Sequence, residues 1–334
     1  MSEDDLRWVA AQFRTFREAG AAGPRWPAIE VSSWWREPDY SDDYRHLHDL
    51  ERELSTIAAS RWTYELLSVW RAARDPEYPR WAFAMGTRVC QITFFGMEAT
   101  NDWFHRRRGA FPDALAATER LLEAGIRPRW QLIFTKRLLS GLASLLALAD
   151  GMHLRERCEA LGGPFVIFLN CPSPDGNAFE MEHLRPTVRD LDRVPAWLRE
   201  ASEAHLGRAL GETERALMAR LGADDAPVGG VPPRLWFEVT PDLDVYTNVA
   251  APLLWFRLGN LRQDGVARVV EAFENDHTIG LQAQYHVPLS ELARRFGRPR
   301  GQRIYSEGDL KARWVRCYCE EAASGARDDL RPTP

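Results

Sequence analysis

The chain is poor in cysteine: five thiols, Cys90, Cys158, Cys171, Cys317 and Cys319, are scattered along 334 residues. An odd, scattered set does not make a disulfide framework, and reduced thiols fit a cytoplasmic setting. Long apolar runs are missing too. The longest nearly uncharged one, LLSGLASLLALA at residues 138–149, is too short to cross a bilayer, so no membrane partner is expected. The amino terminus, MSEDDLRW, is acidic where a secretory signal would be basic. Positive charge is not in excess: the net charge is -5 and the arginine clusters have acids nearby, which sets nucleic acid aside as a partner. Internal repeats and low-complexity blocks are not evident.

What is present is an ordinary globular composition, 45% hydrophobic and 27% charged, enough for one large core or two moderate ones. Ser2 with Asp5 three positions on reads as a capped helix start, and Leu6, Val9, Phe13 and Phe16 follow at helical spacing. AIEVSSWW at 28–35 reads as a strand closed by Pro38, followed by a charged helix through His46 to Leu54. YELLSVW at 64–70 is the next expected strand, and Asp75-Pro76 opens a short helix ending near Gly86. RVCQITFF at 88–95 is a strand, Pro112 sits in the first turn of a helix stopped by Gly125, and RWQLIFT at 129–135 is a strand again. A Leu-rich helix and the strand FVIFLN at 165–170 complete the run.

Strands read as apolar on both faces and separated by helices predict an α/β fold with a parallel sheet, open or curled into a barrel. Both forms place ligands at the carboxyl ends of the strands. QITFFGMEATNDWFHRRRGAF, residues 91–111, lies at such an end, with an acid, an amide and three arginines after the glycine. Further on come a helix around 199–221 and a Gly/Pro linker, GADDAPVGGVPP, ending at Pro233. RLWFEVTPDLDVYTN then predicts a hairpin turning near residues 241–244, before short helical pieces and a polar tail.

The order of these elements, with the strings FFGMEATNDWFHRRRGAF, EAGI and RPRWQLIFT, resembles the radical S-adenosylmethionine (SAM) family over about residues 2–185. The resemblance implies a partial parallel (β/α) barrel beginning at helix 1 over 1–185 and a helical connection with its linker over 186–233. It implies a smaller α+β extension over 234–334, where PDLDVY and LGNL resemble a SPASM or twitch domain. No cysteine lies between Cys171 and Cys317, and Asn248 stands where a cluster cysteine would be expected, so the extension is expected without an auxiliary cluster. The family's CxxxCxxC motif, whose thiolates hold a 4Fe-4S cluster, is absent from the sequence. Because the chain starts at what resembles helix 1, strand 1 and the cluster loop would precede Met1, as in a truncated gene or a late start codon. With that segment restored, the resemblance implies reductive SAM cleavage and hydrogen abstraction from a small-molecule or peptide substrate, with an external electron donor. The alternative is a cluster-free SAM- or peptide-binding relative without catalysis.

The same resemblance nominates five residues for SAM. Glu37, in SSWWREP, stands where the family receives the SAM amino group, a role suited to a carboxylate fixed by the next proline; its bland reading is a charge at a helix start. Ser68 and Thr93 fall where relatives touch ribose or methionine, against the bland reading of a hydroxyl bonding backbone. Arg108, beside Gly109, matches the family's Arg-Gly pair, with Arg106 and Arg107 read as surface. Gln131 is the fifth: with Arg129 it belongs to a strand where an inward polar side chain could reach SAM, and a buried polar group needs some partner, ligand or protein. The loop at 170–186 carries Glu180, Glu182, His183 and Arg185 and could shape specificity, with His183 more simply structural. Cys317, Cys319 and Cys90 read as structural, because CxC on a helix does not share one face. Most of the 13 tryptophans, among them Trp34, Trp35, Trp70, Trp103, Trp130 and Trp255, read as core.

Overall fold

Period-two burial builds the sheet at the centre of the fold. In β1 (Val89–Phe94), Cys90, Ile92 and Phe94 are buried and Gln91 and Thr93 between them are half-buried. β2 (Arg127–Ile133) repeats the pattern, with Pro128, Trp130 and Leu132 inside and Arg129 and Gln131 on the other face. With β3 (Val166–Asn170) they form a parallel sheet in the order β1-β2-β3. The chain is therefore α/β with a helix-covered parallel sheet, as the alternation predicts, and has an α+β part as well, as the resemblance implies. This computed structural model describes residues 1–19, 26–32, 43–56, 66–173, 176–229, 235–247 and 252–328.

The chain divides into two compact units, one of residues 28–172 with 184–210, the other of 1–27, 173–183 and 211–334. In the first, helix Ala110–Glu123 lies on the apolar face of the sheet. Trp130 Nε1 donates to Thr118 Oγ1 at 3.2 Å, and the Phe94 ring meets Trp130 at 4.5 Å and Phe111 at 5.9 Å. Each such large apolar side chain contributes about 1.5–3 kcal/mol by leaving water. The helix ends before Gly125, whose φ of 84° and whose closeness to the Phe83 ring exclude a larger residue. Helix Ala196–Leu206 docks on β3, where Leu169 donates its N–H to Ser202 Oγ at 2.8 Å.

Several predicted elements differ. The expected apolar-on-both-faces strands are apolar on one face only, because the polar residues of β1 and β2 fall at alternate positions. Of the strand predicted at 64–70, residues 64 and 65 lie outside the described residues and the rest is contradicted: Val69–Arg74 is a helix, and Ser68 is its N-cap, accepting from Arg71 N–H at 3.1 Å. Residues 28–32 form no strand either. Their backbone bonds go partly to hydroxyls, Ile29 N–H to Thr56 Oγ1 at 2.7 Å and Val31 N–H to Ser55 Oγ at 3.0 Å, and 33–35 lie outside the described residues. The helix predicted over 199–221 is two, Ala196–Leu206 and Glu214–Leu221, the first stopped by Gly207 at φ 63°.

In the second unit, helix Glu3–Glu18 carries the predicted capping box, with Asp5 N–H and Ser2 N–H each bonded to the other's side chain at 3.1 Å. β4 (Glu212–Thr213) pairs antiparallel with β8 (Ile304–Tyr305). β5 (Glu238–Val239), β6 (Asp244–Tyr246) and β7 (Arg257–Asn260) form an antiparallel meander that includes the predicted hairpin, closed by Thr240 N–H to Asp244 O at 2.9 Å. The expected short helices are Gly265–Glu274, Ile279–Tyr285 and Leu289–Phe296, but a 22-residue helix, Glu307–Asp328, stands where a polar tail was expected. Trp314, Leu310 and Cys319 of that helix pack with Leu217, Leu289 and Leu292. Among the described residues no helix is long and apolar enough to cross a membrane.

Candidate functional site

The sheet face opposite helix Ala110–Glu123 carries a connected polar patch. Gln131 Oε1 accepts from Gln91 Nε2 at 2.9 Å and from Thr93 Oγ1 at 3.0 Å. Gln91 Oε1 in turn accepts from Arg129 Nη2 at 3.1 Å. Parallel register makes this possible, since Gln91 lies beside Arg129 and Thr93 beside Gln131. With both donors directed to its oxygen, the Gln131 amide keeps its NH2, which donates to no protein group among the described residues. A half-buried donor of this kind is suited to a ligand acceptor or to water.

The carboxyl end of β1 explains most of the acid, amide and arginine cluster. The chain turns at Gly96, at φ 153°, where a Cβ would stand 2.8 Å from the Thr100 side chain. Asn101, fully buried, accepts Phe95 N–H at 3.0 Å and so ties the strand to helix Glu98–His105. Its Nδ2 is buried with no acceptor among the described residues. Asp102 accepts Gly109 N–H at 2.6 Å and Phe111 N–H at 2.9 Å, holding the start of helix Ala110–Glu123. Partial burial pushes the Asp102 carboxyl up, but the backbone N–H groups of Gly109, Phe111 and Ala110, with Arg107 beside them, outweigh it and hold it below the usual carboxylate range. Asp113 is bridged by Arg107 at 2.5 Å and by Arg74 at 2.9 Å.

Of the residues nominated from sequence, Thr93, Gln131 and Arg129 come together in one network. Ser68 does not belong to it. It is buried at a helix N-terminus, where its hydroxyl accepts from Arg71 N–H and its own N–H donates to Tyr78 Oη at 3.3 Å. Arg108 is exposed in the turn before Gly109, with no carboxylate within 4.0 Å among the described residues, while Arg107 is the arginine that pairs. Glu37 and Asn248 lie outside the described residues, as do Trp34 and Trp35. His183 is exposed, Glu182 accepts from Tyr305 Oη, and buried Arg185 donates to Pro172 O at 2.5 Å. Trp130 is core, Trp70 and Trp255 are half-buried, and Trp103 is exposed beneath the Arg137 guanidinium. Gln91 was missed, although its spacing of two from Thr93 marks it for the same strand face.

The described residues do not fit a 4Fe-4S cluster. Among them no three His, Cys, Asp or Glu side chains come together as metal ligands. Burial pushes the Cys158 thiol up to about 11 and Cys319 to about 12, so neither is a thiolate near neutral pH.

No family model and no curated protein matches this sequence. The structure is similar to native anSMEcpe with bound AdoMet and Kp18Cys peptide, at a TM-score of 0.41 and 10% identity over 86% of this chain and 81% of that one. It is also similar to native anSMEcpe with bound AdoMet, at a TM-score of 0.40 and 11% identity over 86% and 80% of the two chains. Likeness at this level carries no conclusion about ligand or activity; the α/β class rests on the sheet itself.

Proposed function

We propose that the polar face of β1 and β2 is a SAM-binding surface in a radical SAM-like protein. The observation that carries this reading is the Gln131 amide, locked by Gln91 and Thr93 through its oxygen and left with two donors on a half-buried face. Those donors suit ribose hydroxyls or a carboxylate. In this reading Thr93 and Gln131 would face SAM, with Glu37 and Arg108 as candidates for its amino and carboxylate groups. A small-molecule or peptide substrate would be taken at the same strand ends.

The described residues supply recognition and not a redox centre. Reductive SAM cleavage, hydrogen abstraction and the need for an electron donor therefore belong to this reading only together with a cluster-bearing CxxxCxxC segment. The absence of a three-ligand constellation among the described residues favours a second reading, a SAM- or peptide-binding protein without catalysis.

Calorimetric titration of SAM into the 334-residue chain, before and after anaerobic iron-sulfide reconstitution, tests both. Binding that weakens about tenfold in Gln131→Leu supports the sheet site, since one hydrogen bond to a polar ligand is worth roughly a factor of ten. Binding without iron uptake supports the non-catalytic reading. If SAM does not bind in either state, the proposal fails.

A further inference from the structure

Beyond the polar patch, the carboxyl end of the sheet carries a row of aromatic rings that ends on an arginine. Phe95, the first residue after β1, stacks on Phe104 at 4.6 Å, and Phe104 meets Trp103 edge to face at 4.8 Å. The Arg137 guanidinium lies over the Trp103 ring at 3.9 Å. Arg137 belongs to helix Lys136–Leu139, which starts just after β2 with Thr135 as its N-cap, the hydroxyl accepting Leu138 N–H at 3.2 Å. Gly141 lets the segment after this helix approach the turn after β1, since a Cβ there would stand 2.9 Å from the Met97 side chain. The row thus joins the carboxyl ends of two neighbouring parallel strands, where such sheets take ligands.

Two features set this row apart. Trp103 stays 44% exposed although a guanidinium lies over it, so it offers apolar surface that a ligand ring can cover. Arg137 is exposed and donates to no acceptor among the described residues. Other arginines stacked on rings at 3.9–4.7 Å spend their donors within the protein: Arg88 on Phe83 O and Thr87 O, Arg74 on Trp70 O and Asp113, Arg316 on Glu320. The acids around helix Glu98–His105 do not reach Arg137 either. Asp102 is held by backbone N–H groups, Asp113 by Arg107 and Arg74, and Glu98 lies in its helix's first turn with no cation within 4.0 Å among the described residues.

We propose that this end of the sheet binds its substrate as an aromatic carboxylate, the ring against Trp103 and the acid on Arg137. A guanidinium laid on an indole presents its N–H edge in a set plane, which suits a planar carboxylate, and its stacking lowers the ordering lost on binding. An aliphatic acid would forgo the ring contact, and an amine would be repelled by the guanidinium. Such a substrate site rests on the reading that the strand ends take the substrate, but it needs no SAM.

Ligand-observed NMR saturation transfer on the full 334-residue chain without SAM tests it, with indole-3-acetate at millimolar concentration as the probe. Indole-3-acetamide, without the charge, and cyclohexylacetate, without the aromatic ring, should each bind about tenfold more weakly. Arg137→Gln should weaken indole-3-acetate about tenfold, and Arg137→Lys, which keeps the charge without the planar fork, should recover only part of that. Trp103→Leu should erase the preference for indole-3-acetate over cyclohexylacetate. Unchanged hydrogen exchange in β1 and β2 checks that these variants are folded. Ala-Ala-Phe with a free carboxyl terminus separates the sources: binding tighter than indole-3-acetate assigns the acid to a peptide end, and weaker binding to a small molecule. No saturation transfer to indole-3-acetate, equal binding of the three probes, or affinity unchanged in Arg137→Gln would overturn the proposal. Calorimetric titration of SAM into the same sample keeps the readings apart, since the acid can bind where SAM does not, and the reverse.

Discussion

Gln131→Leu is the substitution that most directly interrogates the sheet face. Leucine keeps the volume and β-compatible shape but removes the oxygen that accepts from Gln91 Nε2 and Thr93 Oγ1. Each lost bond is worth about 0.5–1.5 kcal/mol net, and orphaned donors cost more where water cannot reach. The face is half-buried, so water recovers part of that, and an overall loss of about 1–2 kcal/mol is expected. Thr93→Val removes only one donor and should cost about 0.5–1.5 kcal/mol. In the double variant the orphaned Thr93 donor no longer exists, so the sum should fall short of additivity by roughly 0.5–1 kcal/mol. Because the chain has two units, a single melting curve would mix their transitions. Hydrogen exchange of the β1 and β2 amides reads the relevant one, and protection there should fall roughly 5–30-fold in Gln131→Leu. Unchanged protection, or strictly additive losses in the double variant, would mean that the three side chains do not form the network on which the SAM proposal stands.

Further expectations concern the supports of the two units. Asp102→Ala removes the acceptor of Gly109 and Phe111 N–H and should cost about 1–2 kcal/mol, read as lower protection at the start of helix Ala110–Glu123. Because the folded carboxyl lies below its ordinary range, its contribution is present above that range and is lost as pH falls through the depressed one; Asp102→Asn should abolish this acid-side slope in a pH series of exchange measurements. Arg313→Leu leaves buried Glu214 without its counter-ion and should cost about 3–5 kcal/mol, partly recovered by adding Glu214→Gln, as thermal melting followed in the second unit would report. Cys158 and Cys319, buried and with raised pKa, should resist iodoacetamide at pH near 8 until the chain unfolds; mass spectrometry showing native-state labelling faster than unfolding would contradict their burial.

What could be read beforehand was whatever rests on local chemistry. The Ser2/Asp5 box, Pro112 in its helix's first turn, the Gly125 stop and the hairpin at 241–244 each depend on a few neighbouring residues, and each formed. The failures came where one side chain redirected the backbone. At 64–70 an apolar run suited to a strand lost to the Ser68 hydroxyl, which captures Arg71 N–H and starts a helix. At 28–32 the hydroxyls of Ser55 and Thr56 take N–H groups that a neighbouring strand would have taken, and nothing in the local sequence announces partners about 25 residues away. Over 199–221 the αL glycine at 207 was present to be read, but the amphipathic pattern on either side of it masked the break.

The network shows how far a site can be inferred without coordinates. Gln91 and Gln131 are 40 positions apart and Thr93 and Gln131 are 38 apart, so their contact depends on strand register, which no local propensity fixes. One residue nonetheless decides which face Gln131 takes. Trp130 is too large and apolar to leave in a polar face when a helix offers it a buried slot and Thr118 offers its indole N–H an acceptor. Once Trp130 turns toward that helix, the period of two sends Arg129 and Gln131 to the opposite face, and Ile92 and Phe94 do the same for Gln91 and Thr93. A one-residue shift of both strands would put all four polar groups against helix Ala110–Glu123 and turn Ile92, Phe94, Trp130 and Leu132 to the opposite face. The core therefore specifies the polar patch: the buried apolar residues are the ones that aim Thr93 and Gln131 at each other on the opposite face.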